Sequence, residues 1–194
     1  MNVLDIIFNK FNITISVNIW VALAIVVLLL ILNYFIFRTE IVEINEIPLG
    51  SFKLIINKKN REIAYKIWVE LNTRKIGIPF DEENDVIIEI YNSWYAFFLA
   101  TRELIKDIPP NKKSKELIDL TTSVLNECIR PHLTKWQARF RKWYNETETD
   151  GKSPQEKQKT FENYEEIVDD IKIINKAVIE YGDALYKIAF KNKK

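Results

Sequence analysis

The stretch Arg130-Pro131-His132-Leu133-Thr134-Lys135-Trp136-Gln137-Ala138-Arg139-Phe140-Arg141-Lys142-Trp143-Tyr144 gathers the densest set of chemistry-bearing side chains in the chain. At helical spacing His132, Trp136, Phe140 and Trp143 share one side, and Arg130, Thr134, Gln137 and Arg141 share another, beside Lys135, Arg139 and Lys142. One reading is an aromatic core stripe with solvated cations opposite, their aliphatic stems lying on the apolar surface. The other is an anion site, because guanidinium and ammonium groups among aromatic rings suit phosphate or carboxylate. Thr73-Arg74-Lys75 is a second basic group, placed either to complement a helix C-terminus or to extend that site. The candidate ligand-binding residues are therefore Arg74, Lys75, Arg130, His132, Lys135, Arg139, Arg141 and Lys142, for a nucleotide-like small molecule or a cytosolic protein partner. A formal net charge of +1 gives no global field toward nucleic acid, which is disfavoured as a partner.

Catalysis and metal binding have little to work with. Cys128 and His132 are the one cysteine and the one histidine, so an internal disulfide and a Cys/His zinc site are both excluded. No phosphate loop, dinucleotide fingerprint, metalloprotease motif or nucleophile elbow occurs. No catalytic residue, no metal and no cofactor is expected, and the chain reads as a non-enzyme. Asp81-Glu82-Glu83-Asn84-Asp85 lacks the glycine and the twelfth-position glutamate of a calcium loop and reads as acidic charge at a helix start. Glu162, Glu165, Glu166, Asp169 and Asp170 read as a solvated face, or as a partner for the basic helix.

The elements around these residues begin with a hydrophobic span. No residue between Lys10 and Arg38 is charged. Its centre, Trp20–Phe37, holds enough apolar residues for the ~20 that cross a ~30 Å hydrocarbon layer. Trp20 and Tyr34 stand where interfacial aromatics belong, and Leu28, Leu29, Leu30 and Phe37 complete the expected anchor. The core is too long for a signal peptide. Lys10 alone precedes the span, whereas Arg38, Lys53, Lys58, Lys59 and Arg61 follow it. The positive-inside rule then places the N-terminus outside and the C-terminal domain in the cytoplasm, at the inner membrane.

The expected organisation is a short tail (1–17), a transmembrane helix (18–38), a connector (39–59) and a cytosolic helical domain (60–194). In the connector, Ile41, Ile44 and Ile47 interleave with glutamates, predicting a small hairpin of Ile41–Ile47 with Ser51–Ile56 around a Pro48-Leu49-Gly50 turn. The remainder is read as all-α, an antiparallel four-helix bundle. The first helix is Asn60–Lys75, stopped by Gly77 and Pro79. The second is Glu82–Asp107, capped by Asp81. The third is Lys113–Tyr144, broken or kinked near Asn126–Arg130 by Pro131. The fourth starts at the capping box Ser153-Pro154-Gln155-Glu156 and runs to about Phe190, its far end either breaking near Gly182 or projecting to a partner. Only four glycines argue against hairpin-rich β folds.

The blocks Thr73-Arg74-Lys75-Ile76-Gly77-Ile78-Pro79-Phe80-Asp81-Glu82-Glu83 and Arg130-Pro131-His132-Leu133-Thr134-Lys135-Trp136-Gln137 resemble an uncharacterised family of small prokaryotic membrane-anchored proteins associated with anti-phage defence. The resemblance covers residues 60–145 and implies neither an activity nor particular functional residues. The combined expectation is a membrane-anchored helical sensor or interaction module that works as a homo-oligomer at the lipid bilayer. The runner-up is a structural tether for a cytosolic partner.

Overall fold

The computed structural model describes residues 3–8, 13–36, 40–47, 50–148 and 151–190, with side chains at 18–34, 51, 53–148 and 151–190. Lys10, Phe37, Arg38 and the turn residues Pro48 and Leu49, on which several expectations fell, lie outside the described residues. The chain divides into two units, Met1–Thr39 and Glu40–Lys194, and is mostly helical.

In the first unit, β1 (Val3–Phe8) pairs antiparallel with β2 (Ile13–Asn18), so a hairpin replaces the expected tail. The helix α1 (Ile19–Ile36) follows without a break, and the Asn18 carboxamide accepts the backbone N–H of Trp20 at 3.0 Å. Such side-chain acceptors satisfy N–H groups that the first helical turn leaves open. Every residue from Leu23 to Tyr34 is exposed. No helix among the described residues is long and apolar enough to cross a membrane. The described side chains of α1 stop at Tyr34, two residues short of its end.

The second unit opens with the connector hairpin: β3 (Glu40–Ile47) pairs antiparallel with β4 (Gly50–Ile56), from Glu40 opposite Ile56 to Ile44 opposite Phe52. Leu54 and Ile56 of β4 are buried in the core. Helix α2 (Lys58–Asn72) starts earlier than the sequence predicts, because Asn57 caps it through the Asn60 N–H, and it ends earlier, at the Thr73 C-cap. Its face Ile63, Ala64, Ile67 and Leu71 is fully buried, the one-sided stripe that drives helix docking. The chain then folds back in a single 3₁₀ turn, Lys75–Gly77. A Cβ on Gly77 would stand 2.3 Å from the Leu71 carbonyl oxygen, so that close approach requires glycine.

Helix α3 (Ile87–Lys106) begins five residues later than expected. Asp81 does not cap it. Its carboxylate accepts the backbone N–H groups of Glu83 and Asn84 and closes a turn instead. The acidic group is therefore not a run of helix-start charges, and the buried Asp85 side chain takes Lys75 Nζ at 2.5 Å. The open end of α3 is served from a distance: Gln158 accepts the Ile87 N–H at 2.8 Å and donates to the Asp85 carbonyl at 2.9 Å.

Residues 115–146 stay helical past Pro131. They comprise α4 (Lys115–Ser123), a π-helical stretch Val124–Ile129, the short α5 (Arg130–His132), a second π-helical stretch Leu133–Gln137, and α6 (Ala138–Glu146). The expected break is thus a widening. Proline clashes with the preceding turn's carbonyl in an α-helix, and a wider turn relieves that crowding. Residues 154–190 break elsewhere than predicted. The Ser153 capping box starts α7 (Pro154–Gln158), the chain turns at 159–163, and α8 (Tyr164–Phe190) continues through Gly182. At the turn, Phe161 swings inward against Phe140 and Trp143, ring centroids 5.2 and 5.0 Å away.

Candidate functional site

The π-helical region 124–137 carries two small clefts on different faces, one containing Arg130 and the other His132. π-Helical turns recur at functional sites because they re-aim side chains without ending a helix.

The His132 face is the more enclosed. Its side chain is almost wholly buried between Tyr91 and Trp94, ring centroids 5.6 and 5.4 Å away. Nε2 lies 3.1 Å from the Tyr91 hydroxyl, whereas Nδ1 has no hydrogen-bond partner and stands 3.9 Å from Asp170 Oδ2. Burial pushes the imidazole down to about 4, against Asp170, which favours its charge, and with Lys135, which opposes it. Burial also drives the Tyr91 phenol far above its ordinary range, so it stays protonated. The Asp170 carboxylate accepts Trp136 Nε1 at 2.6 Å and Lys135 Nζ at 3.3 Å. Burial would raise its pKa, but these donors hold it below the usual carboxylate value. Cys128 lines the same cleft, and burial raises its thiol to about 11. Pro131 therefore does not separate Cys128 from His132, contrary to the geometry its ring suggests. The thiol stays protonated and is a poor nucleophile.

The Arg130 face is a groove of about 240 Å³ lined by Tyr95, Phe98, Arg130, Leu133, Thr134 and Gln137. Arg130 Nε donates to Asn126 at 3.1 Å, and its guanidinium lies over the Phe98 ring. Its two terminal nitrogens are thereby presented with the plane fixed, the arrangement that suits bidentate acceptors. Tyr95, on α3, was not among the predicted site residues. Its partnership with residues 130–137 depends on how α3 packs, which no local spacing reveals.

The other predicted cations do not converge on one site. Arg74 pairs with Glu70 at 2.7 Å and Lys75 with Asp85. Lys135 pairs with Glu166 at 2.7 Å and lies over the Trp136 ring. Arg139 reaches Asn163, and Arg141 reaches Asn92. Lys142 is exposed. The acidic run on α8 is thus partly the basic helix's partner rather than a wholly solvated face. Of the expected anchor residues, Trp20, Leu28, Leu29, Leu30 and Tyr34 are exposed on α1, and Phe37 lies outside the described residues. Among the described residues no three His, Cys, Asp or Glu side chains gather as a metal site.

No protein-family profile matches the chain, and no curated protein or solved structure shows significant similarity to it. The class is therefore set by the molecule itself: a mostly helical protein of two units, with two clefts at a widened helix in the second.

Proposed function

We propose that the chain is a single-pass membrane-anchored recognition module of a prokaryotic cell. In this reading α1 lies in the inner membrane with its N-terminus outside. The second unit works in the cytoplasm as a bundle of four helical segments: α2, α3, residues 115–146 and residues 154–190. The supporting observation is α1 itself: an uncharged 18-residue helix whose side chains stand exposed all round from Leu23 to Tyr34. Its 18 residues, about 27 Å at ~1.5 Å per residue, fall just short of the ~20 that a ~30 Å hydrocarbon layer takes, and the uncharged run continues in the sequence to Phe37. A helix apolar on every side needs either lipid or a protein shell, and one helix cannot enclose a pore, so action on the bilayer requires a homo-oligomer.

The ligand part of the reading narrows to Arg130. The groove beside it brings a guanidinium, the Tyr95 and Thr134 hydroxyls and the Gln137 amide together, a donor set for a small anion. A structural tether for a cytosolic protein is the second reading, favoured by the number of cations already paired within the chain. A non-catalytic role is supported by a thiol held near 11 beside an imidazole held near 4, the reverse of an activated pair. The defence association stays a proposal, tested by plating phage on cells with and without the protein.

The test is fractionation without detergent, followed by an alkaline wash and a native mass spectrum of the extracted protein. The protein is expected in the washed membrane pellet, and recovery in the supernatant rejects the anchor. A copurified anion lost in Arg130→Glu supports the groove. Its absence from both proteins transfers support to the tether.

A further inference from the structure

We propose that the cleft lined by Cys128, Pro131, His132, Lys135, Asp170, Ile173 and Ile174 binds a neutral hydroxyl-bearing molecule of the sugar or polyol class, whose hydroxyl bridges His132 Nδ1 and Asp170. The inference stands independently of the membrane anchor and of the Arg130 groove.

The argument starts from proton accounting. The Tyr91 hydroxyl must donate somewhere, and its hydrogen-bond neighbour among the described residues is His132 Nε2. If Tyr91 donates, Nε2 is the acceptor and the neutral ring carries its proton on Nδ1. One group, Nδ1–H, is then left open. In the opposite tautomer the phenolic hydrogen and the Nδ1 lone pair are both left open in a buried place. The first arrangement is cheaper by one unsatisfied buried polar group. It also aims Nδ1–H toward a carboxylate, where the 3.9 Å gap to Asp170 Oδ2 is too long for a hydrogen bond.

An oxygen standing about 2.8 Å from each of the two atoms would close that gap from the cleft side. It must accept from Nδ1–H and donate to Asp170, which a hydroxyl does with one atom. An anion meets Asp170 and Glu166, and a cation meets Lys135, so neither charge suits the position. The cleft, about 220 Å³, holds more than a single ordered water. Pro131, Ile173 and Ile174 supply an apolar wall for C–H faces, and Ile173 is 69% exposed. An unsatisfied donor, an adjacent acceptor and an apolar wall together make a polyhydroxyl site.

The test uses the full chain in phosphatidylcholine nanodiscs, whose lipids carry no hydroxyl groups. The single histidine makes the ring nitrogens directly assignable by long-range ¹H–¹⁵N spectroscopy. The free protein should show the Nδ1–H tautomer. Glucose, ribose and glycerol serve as probes, and dimethoxyethane as the control without hydroxyls. At least one probe should shift Nδ1 and, at ten times its Kd, slow alkylation of Cys128 ~tenfold. Ile173→Arg changes only an exposed rim residue and should abolish both effects. An Nε2–H tautomer, a ring moved by none of the three probes, or an equal shift with dimethoxyethane overturns the proposal.

Discussion

Helices α1 and α8 are both rich in Ile, Leu and Val, yet they end in opposite surroundings. In α8 the apolar residues keep phase: Ile167, Val168, Ile171, Val178, Leu185 and Ile188 are buried, while Glu165, Glu166, Asp169, Lys172 and Lys176 face out. In α1 they occupy every phase and every described side chain from Leu23 onward is exposed. Apolar content is therefore not what decides burial against protein; the angular separation of apolar from polar residues decides it. The single asparagines sharpen the contrast. Asn33 sits near the end of α1, whereas Asn175 sits in the buried stripe of α8 and holds a loop, donating to the Ile76 and Ile78 carbonyls and accepting the Phe80 N–H.

The strongest way to break the contrast is one substitution in each helix. Ile171→Asp puts an unpaired charge in the core and should cost about 3–5 kcal/mol of second-unit stability. Leu28→Asp should leave that unit's denaturation midpoint unchanged and instead weaken membrane retention by roughly 3 kcal/mol. Equal loss of stability in both variants, followed by tryptophan fluorescence, would erase the distinction.

A smaller effect comes from pH. His132 falls from an ordinary 6.5 to about 4 on folding, so between those values the unfolded chain binds the proton and the folded one does not. Stability is then full above pH 6.5 and drops as pH falls toward 4, by up to about 3 kcal/mol. A ring titration midpoint near 4 is expected, and one near 6.5 would mean that the ring is not buried beside α8. The smallest effect belongs to the exposed contact between the two charged helices. Glu166→Gln removes one partner of Lys135 and should change stability by less than ~1 kcal/mol, declining further with added salt.

Local signals made part of this legible. The Ser153 capping box, the connector hairpin and the buried stripes of α2 and α8 follow from spacing within one segment. What escaped depends on partners far along the chain. Gln158 displaces Asp81 as the group serving the start of α3, from 71 residues away. Phe161 interrupts the fourth segment because Phe140 and Trp143 offer it a pocket. The candidate site divided in the same manner. His132 and the cations are visible as residue types, but which cation is already paired depends on α8 lying against residues 130–137. Asp170 joined the His132 cleft through that packing, whereas Tyr91 reached His132 and Tyr95 reached the Arg130 groove through the packing of α3.

The widened turns around Pro131 imply how such clefts are gained and lost. Arg130 N–H bonds back to the Leu125 carbonyl, one residue further than in an α-helix. A turn of this kind is what a helix becomes when a single extra residue is accommodated without disturbing its ends. Deleting one residue between 124 and 129 would let the widened turn close to an α-helical one and leave the residues on either side facing as before, whereas deleting one in the regular turns of α4 would rotate everything beyond it by ~100°. In the second case His132 would lose Tyr91 and Arg130 would leave Phe98 together, so the widened turn sets where along this helix a change of length is tolerated.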